Sequence, residues 1–264
     1  MSSDIDNELL KAEVREYWNS NPCGTQFTDL EWGSKPFFDN VERHRYETQP
    51  FMRELMEFDR FKGKKLLEIG CGLGTDLLQF ARGGARVTAV DLTPRSIELV
   101  KKRFALEGLP VDAQMADAER LPFEDGSFDA VYSFGVLHHT PNTQRAIDEV
   151  YRVLKPGGRI IIMLYHKNSM HMWLGIPLHV LSGKSRDHGL PVAEDWVRVY
   201  DGEMNPLGKA YSRSNAKKMF SRFRNVSTIL CDPIRKRYPG IINAANQAFL
   251  AQMCGFWMVI KGEK

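Results

Sequence analysis

The stretch that most constrains the 264-residue chain is Leu66-Leu67-Glu68-Ile69-Gly70-Cys71-Gly72-Leu73-Gly74-Thr75-Asp76. A short apolar run enters it, three glycines alternate with side chains, and a helical pattern resumes at Thr75. Such a run reads as a parallel strand buried on both faces. The glycines let the backbone turn sharply and approach a ligand more closely than any Cβ would permit. Helix amides emerging at Thr75 offer unpaired donors and the positive end of a dipole, which suit an anionic ligand group. An α/β architecture follows, with a ligand cradle at the carboxyl end of its first strand.

A dinucleotide-binding turn places glycine at its first, third and sixth positions. Here Thr75 takes the sixth position and Gly74 comes one residue early. The second apolar run, residues 86–90, ends on Asp91, whose carboxylate suits both ribose hydroxyls of an adenosine. A capping role ahead of Thr93-Pro94 is the plainer alternative. Residues 111–116 form a third run and lead to Asp117-Ala118. The fourth, residues 128–133, leaves through Phe134-Gly135-Val136-Leu137-His138-His139, and Leu154-Lys155-Pro156-Gly157-Gly158 turns into a fifth at residues 159–165.

Glu68 with the glycines at 70, 72 and 74, then Asp91, Asp117, the 134–139 exit and the 154–158 turn, stand in one order over residues 61–165. The set resembles the motifs of class I S-adenosylmethionine (SAM) dependent methyltransferases. The resemblance implies a Rossmann-like α/β fold: a seven-stranded, mostly parallel sheet with helices on both faces, its last strand antiparallel between strands five and six. It also implies SAM as methyl donor and S-adenosylhomocysteine as product. Cofactor contacts are then expected from Glu68, Gly70, Cys71, Gly72, Gly74, Thr75, Asp91, Leu92, Asp117, Ala118 and Phe134. Asp117 would accept from the adenine amino group, and Phe134 would cover the adenosine. Related enzymes hold the methionine carboxylate from a helix ahead of the core, for which Arg45 and Tyr46 are the candidates. A solvated helix face is the alternative for these two.

Four segments are expected. Residues 1–60 are helices of a cap: Ile5, Leu9, Leu10, Val14, Tyr17 and Trp18 recur at helical spacing and stop near Asn21-Pro22-Cys23-Gly24. This helix either packs at the sheet edge or roofs a substrate cavity with Tyr17 and Trp18. A second helical stretch, residues 37–58, breaks at Pro50. Residues 61–165 are the core, where Thr93 and Thr140, each before a proline, are expected to start helices. Strand five, its most apolar segment, should be central. Residues 166–211 are too long for a bare loop and too rich in Met and aromatics for disorder, so they read as a lid inserted after strand five. Residues 212–264 complete the sheet with a helix from Ser212 or Ser214 and two strands. The apolar run 173–181 is read as lid core, with a membrane or partner-subunit contact, including a homo-oligomer through the lid, as the alternative.

The 36 basic and 33 acidic side chains leave a net charge of +3, which offers no dedicated phosphate-binding stripe. Amino-methylating DNA enzymes carry an Asn/Asp-Pro-Pro-aromatic segment after strand four, where this chain has Ser133-Phe134-Gly135-Val136. A small, partly apolar molecule is therefore expected as substrate, rather than nucleic acid. Cys23, Cys71, Cys231 and Cys254 form no close pair, which suits a reducing, cytoplasmic setting. The first twenty residues are acidic and helical, and no apolar run approaches the ~18 residues of a span, so neither a leader nor stable membrane insertion is expected.

Methyl transfer from a sulfonium is an in-line displacement in which the protein mainly aligns the partners and excludes water. A base is needed only if the nucleophile must lose a proton. His138 or His139, at the strand-four exit, is the candidate, with bracing of the loop as the alternative. Trp18, Tyr165, His166, Tyr200, Tyr211 and Arg235 are the candidate substrate contacts. His166, His171, His179 and His188 do not match the short spacings of common zinc sites, so no metal is expected. The accepting atom (oxygen, nitrogen, sulfur or carbon) stays open. Two other functions are weighed: an NAD-dependent oxidoreductase, which explains neither Asp117 nor the histidine pair, and a non-catalytic SAM-binding module, which would not require so elaborate a lid.

Overall fold

The computed structural model describes residues 2–174, 197, 201, 205–232, 242 and 245–264. Among the described residues eight strands form one sheet: β1 (Lys65–Ile69), β2 (Arg86–Asp91), β3 (Asp112–Met115), β4 (Phe128–Phe134), β5 (Leu154–His166), β6 (Ala210–Tyr211), β7 (Arg224–Cys231) and β8 (Trp257–Glu263). Seven of them run in the order β3-β2-β1-β4-β5-β8-β7, and the two-residue β6 pairs beside β5. Every pairing from β3 to β5 is parallel, while β8 is antiparallel to both β5 and β7. The expected seven-stranded path is thus present, with β6 as an eighth strand that two residues of sequence did not announce.

Alternation along the central strands builds a core on each face of the sheet. Leu66, Ala130, Tyr132, Ile161 and Met163 face one core, and Leu67, Ile69, Val131, Ile160 and Ile162 face the other. Each fully buried Leu or Ile contributes about 1.5–3 kcal/mol, so a one-residue slip of β5 would cost the burial of several side chains at once.

Among the described residues the helices are α1 (Ser2–Ser20), α2 (Lys35–Thr48), α3 (Phe51–Leu55), α4 (Thr75–Arg82), α5 (Pro94–Leu106), α6 (Thr143–Val153), α7 (Arg213–Met219) and α8 (Gln247–Cys254). Pro50 separates α2 from α3, as its missing donor predicts. Thr93 Oγ1 accepts from the Ser96 amide at 3.3 Å, and Ser212 Oγ accepts from the Asn215 amide at 3.1 Å, so both caps match the sequence signal. The Thr140-Pro141 start does not hold. Residues 137–139 make a short 3-10 turn, and α6 begins only after Asn142, whose Oδ1 accepts from the Arg145 amide at 3.0 Å.

The sheet order reverses between β1 and β4, and ligands of open α/β sheets bind outside the carboxyl ends at such a switch point. α1 supplies Lys11, Val14, Tyr17 and Trp18 to the walls of a cavity at that place. α1 therefore forms part of the cavity wall.

Candidate active site

The cavity holds about 430 Å³ and is lined by the residues that leave four successive strands. Gly70 and Gly72 follow β1, Asp91 and Leu92 end and follow β2, Asp117 and Ala118 follow β3, and Phe134 and Gly135 follow β4. Gly70 sits at φ +73°, and a Cβ there would lie 2.2 Å from Val136 Cγ2, so only glycine closes this turn. Gly72, at φ +51°, has no heavy atom within 4 Å of the place a Cβ would occupy, which leaves the cradle open beside it.

Asp91 and Asp117 stand at the ends of neighbouring strands. The Asp91 carboxylate accepts from the Gly72 amide at 3.0 Å, the Thr93 amide at 2.9 Å and the Thr93 hydroxyl at 2.8 Å. Burial raises its pKa, and these bonds pull the other way. The turn and the carboxylate are therefore fixed to each other before any ligand arrives. Asp117 Oδ1 accepts from the Glu119 amide at 2.9 Å, and its Oδ2 lies 2.7 Å from the Lys11 ammonium. Lys11 also reaches Glu119 at 3.0 Å. Burial would lower the lysine pKa, but the hydrogen bonds to Asp117, Glu119 and Glu8 carry it above the ordinary range. Sequence reasoning missed Lys11, because one lysine on an amphipathic helix gives no sign of a partner 106 residues away.

Arg45 lines the cavity, yet its fork is engaged: Nε donates to Asp76 Oδ1 at 2.8 Å and Nη2 donates to Oδ2. Neither bond uses Nη1. Asp76 is 4% exposed and also accepts from Tyr46 at 2.9 Å and Tyr132 at 2.7 Å. Tyr46 thus turns toward this carboxylate and is not among the cavity residues. Glu68 lies beneath the start of α4, where the Leu77 amide donates to it. Burial, then repulsion from Asp76, raise its pKa well above the carboxylate range. Thr75 Oγ1 accepts from the buried Arg103 at 3.0 Å. Glu68, Cys71, Gly74 and Thr75 accordingly shape the cradle from behind rather than line it.

The two histidines separate sharply. His138 is fully buried behind the cavity lining, and neither ring nitrogen has a hydrogen-bond partner among the described residues. Burial, then the neighbouring His139, push its pKa well below the ordinary imidazole value. His139 lines the cavity. Its Nδ1 approaches the Leu207 carbonyl, and its Nε2 lies 3.4 Å from Asp201 Oδ2 without forming a hydrogen bond. Asp201 Oδ1 accepts from the Tyr165 hydroxyl at 2.6 Å, and its backbone carbonyl accepts from the Tyr17 hydroxyl at 2.9 Å. Burial raises the Asp201 carboxyl, against the pull of His139 and Tyr165. His138, His139 and Asp201 also bring ligand atoms within 4.8 Å of one another, a metal-capable grouping that sequence spacing did not reveal.

Of the candidate substrate contacts, Trp18 and Tyr165 line the cavity. His166 turns to the Gly255 carbonyl at 3.1 Å, and Tyr211 donates to Thr143 at 2.9 Å, both outside the cavity lining. Tyr200 and Arg235 lie outside the described residues, as do His179, His188 and Trp196 of the expected lid. Among the described residues no helix is long and apolar enough to cross a membrane.

Residues 67–162 match the family model described as a methyltransferase domain. The chain is 39% identical over 98 residues to the sterol 4-C-methyltransferase strm-1 of Caenorhabditis elegans, covering 36% of this chain and 29% of that protein. It is 32% identical over 164 residues to the methyltransferase GfsG of Streptomyces halstedii, covering 60% and 54%. The chain thus spans about half or less of the length of these curated relatives. In fold it is similar to a SAM-dependent methyltransferase of Aquifex aeolicus, with a TM-score of 0.53, 15% identity, and coverage of 87% of this chain and 98% of that one. The fold is that of class I SAM-dependent methyltransferases, and within it residues 67–162 carry the match to the methyltransferase domain family.

Proposed function

We propose that the protein transfers a methyl group from SAM to a small-molecule acceptor by in-line displacement, with His139 as general base. One observation carries the reading: Asp91 and Asp117 flank an open glycine cradle in the same cavity as His139. That arrangement fits an adenosine, with ribose hydroxyls on Asp91 and the adenine amino group on Asp117, beside or in place of the Lys11 ammonium. Arg45 keeps Nη1 for the methionine carboxylate. SAM bound there supplies an electrophilic methyl group on a sulfonium. We take His139, rather than His138, as the base because His139 is among the residues that line the cavity and His138 is not.

Asp201 stands at the acceptor end of the cavity in this reading. Tyr17 and Tyr165 hold Asp201, and the Lys209 ammonium donates to the carbonyls of Thr140 at 2.9 Å and Pro141 at 2.7 Å. The relative named as a sterol methyltransferase has, by its name, a largely apolar acceptor, in keeping with the aromatic walls here. The test is incubation of the protein with methyl-labelled SAM and cell extract, followed by mass spectrometry of labelled products. A labelled small molecule that disappears in His139→Ala supports the reading, and SAM binding with no labelled product would refute it.

A further inference from the structure

We infer that His138, His139 and Asp201 form a binding site for a borderline divalent metal ion, of which zinc is the type. The site goes beyond the methyl-transfer reading and stands without it. It also departs from the expectation of no metal, which came from the spacing of other histidines.

Two acceptors face each other here. A carbonyl only accepts, so the contact with Leu207 gives His139 Nδ1 the proton and leaves the lone pair on Nε2. Nε2 lies 3.4 Å from Asp201 Oδ2, and no hydrogen bond joins them. Two lone pairs at that distance repel, and a cation between them satisfies both. The separation also has the right length. Metal–ligand bonds of about 2.1 Å at a tetrahedral angle put two ligand atoms about 3.4 Å apart.

His138 supplies the third ligand. It is 0% exposed, its ring centroid is 4.2 Å from that of His139, and neither ring nitrogen has a hydrogen-bond partner among the described residues. Buried polar groups are nearly always paired, and a metal pairs this one. One ligand atom from each of the three residues lies within 4.8 Å of the others, so His138 closes a tetrahedral site by moving about 1.4 Å at most.

The surroundings orient these ligands as outer-shell groups do. The Leu207 carbonyl holds the His139 ring through Nδ1. The Tyr165 hydroxyl donates to Asp201 Oδ1 at 2.6 Å, and the Asn205 amide reaches Oδ2 only at 3.5 Å. Two imidazoles and one carboxylate suit zinc, cobalt or nickel, whereas magnesium and calcium take oxygen ligands. Three protein ligands leave a fourth position for water. The Lys209 charge acts against a cation at His138, which sets the affinity below that of a closed structural site. A bound ion ties the turn after β4 to Asp201 and takes the Nε2 lone pair. With His139 as base, metal binding and methyl transfer therefore exclude each other.

The test is titration of the untagged, metal-free full chain with cobalt(II), whose visible bands strengthen on entering a tetrahedral site, followed by competition with zinc. The expected result is one cobalt per chain, intense bands, and their loss as zinc displaces it. His138→Leu should lose the bands, and so should Asp201→Asn as a second variant, each shown to be folded by circular dichroism. Zinc affinity by calorimetry should fall in both by more than the about 10–100-fold that an outer-shell change costs. Bands absent from the wild type, or unchanged in a folded variant, mean adventitious metal only and overturn the inference. Where labelled product forms from methyl-labelled SAM, zinc should stop it in the wild type and leave His138→Leu unaffected. Wild-type turnover that persists with the site filled overturns His139 as base and leaves the site standing.

Discussion

Replacing Asp76 by Asn tests what holds the floor of the cavity. The wild-type carboxylate is 4% exposed and accepts four hydrogen bonds, two from Arg45 and one each from Tyr46 and Tyr132. Asparagine keeps the volume but removes the charge, so Arg45 is left as a partly buried cation without its partner. Breaking a buried pair from one side costs about 3–5 kcal/mol. For a domain of this size that lowers the thermal midpoint by about 6–20 °C. Glu68 limits the loss. Its Oε2 has no hydrogen-bond partner among the described residues, and burial, then Asp76, raise its pKa while Arg45 lowers it, so with Asp76 neutral it takes over as counterion to Arg45. The double variant with Glu68→Gln should then lose more than the sum of the single losses, by about 0.5–3 kcal/mol. Differential scanning calorimetry of the four proteins measures both quantities. A midpoint for Asp76→Asn within about 2 °C of wild type would refute the argument.

Three further outcomes are expected. His138→Leu removes two buried ring nitrogens that lack partners, so stability should hold or rise, with activity retained; loss of folding would contradict the assignment. The pH dependence has a definite sign. His138 and His166 bind protons less readily folded than unfolded, so the wild-type protein should lose stability as pH falls below about 6.5, and His138→Leu should show a shallower loss in acid unfolding curves. Lys11→Met should free α1 from Asp117 and Glu119, seen as faster proteolysis ahead of residue 20; an unchanged rate would show that other contacts hold the helix.

Much of the fold was legible because its signals are local. Residues 66–76 specify strand, turn and helix within one stretch, Thr93 announces its cap by the proline behind it, and the apolar run of β5 puts it mid-sheet. Asn142 won over Thr140 as the α6 cap because both residue types compete for the role and only tertiary packing of the 137–139 turn decides. The placement of Asp91 and Asp117 at the cavity was legible for a similar reason: each ends or follows a strand. The partners were not. Asp76 meets Arg45, Tyr46 and Tyr132 from 31, 30 and 56 residues away, and Asp201 meets Tyr17 across 184. Such separations carry no periodicity. Tyr46, His166 and Tyr211 have the residue types of ligand contacts, yet their polar atoms are directed to neighbouring protein groups.

The most direct test of the central claim is calorimetric titration of the wild-type and Asp91→Ala proteins with SAM and with NADH. The account predicts one SAM per chain, an affinity at least tenfold weaker in Asp91→Ala through lost charge-assisted hydrogen bonds, and no heat from NADH. NADH binding without SAM binding, or SAM affinity indifferent to Asp91, would contradict it.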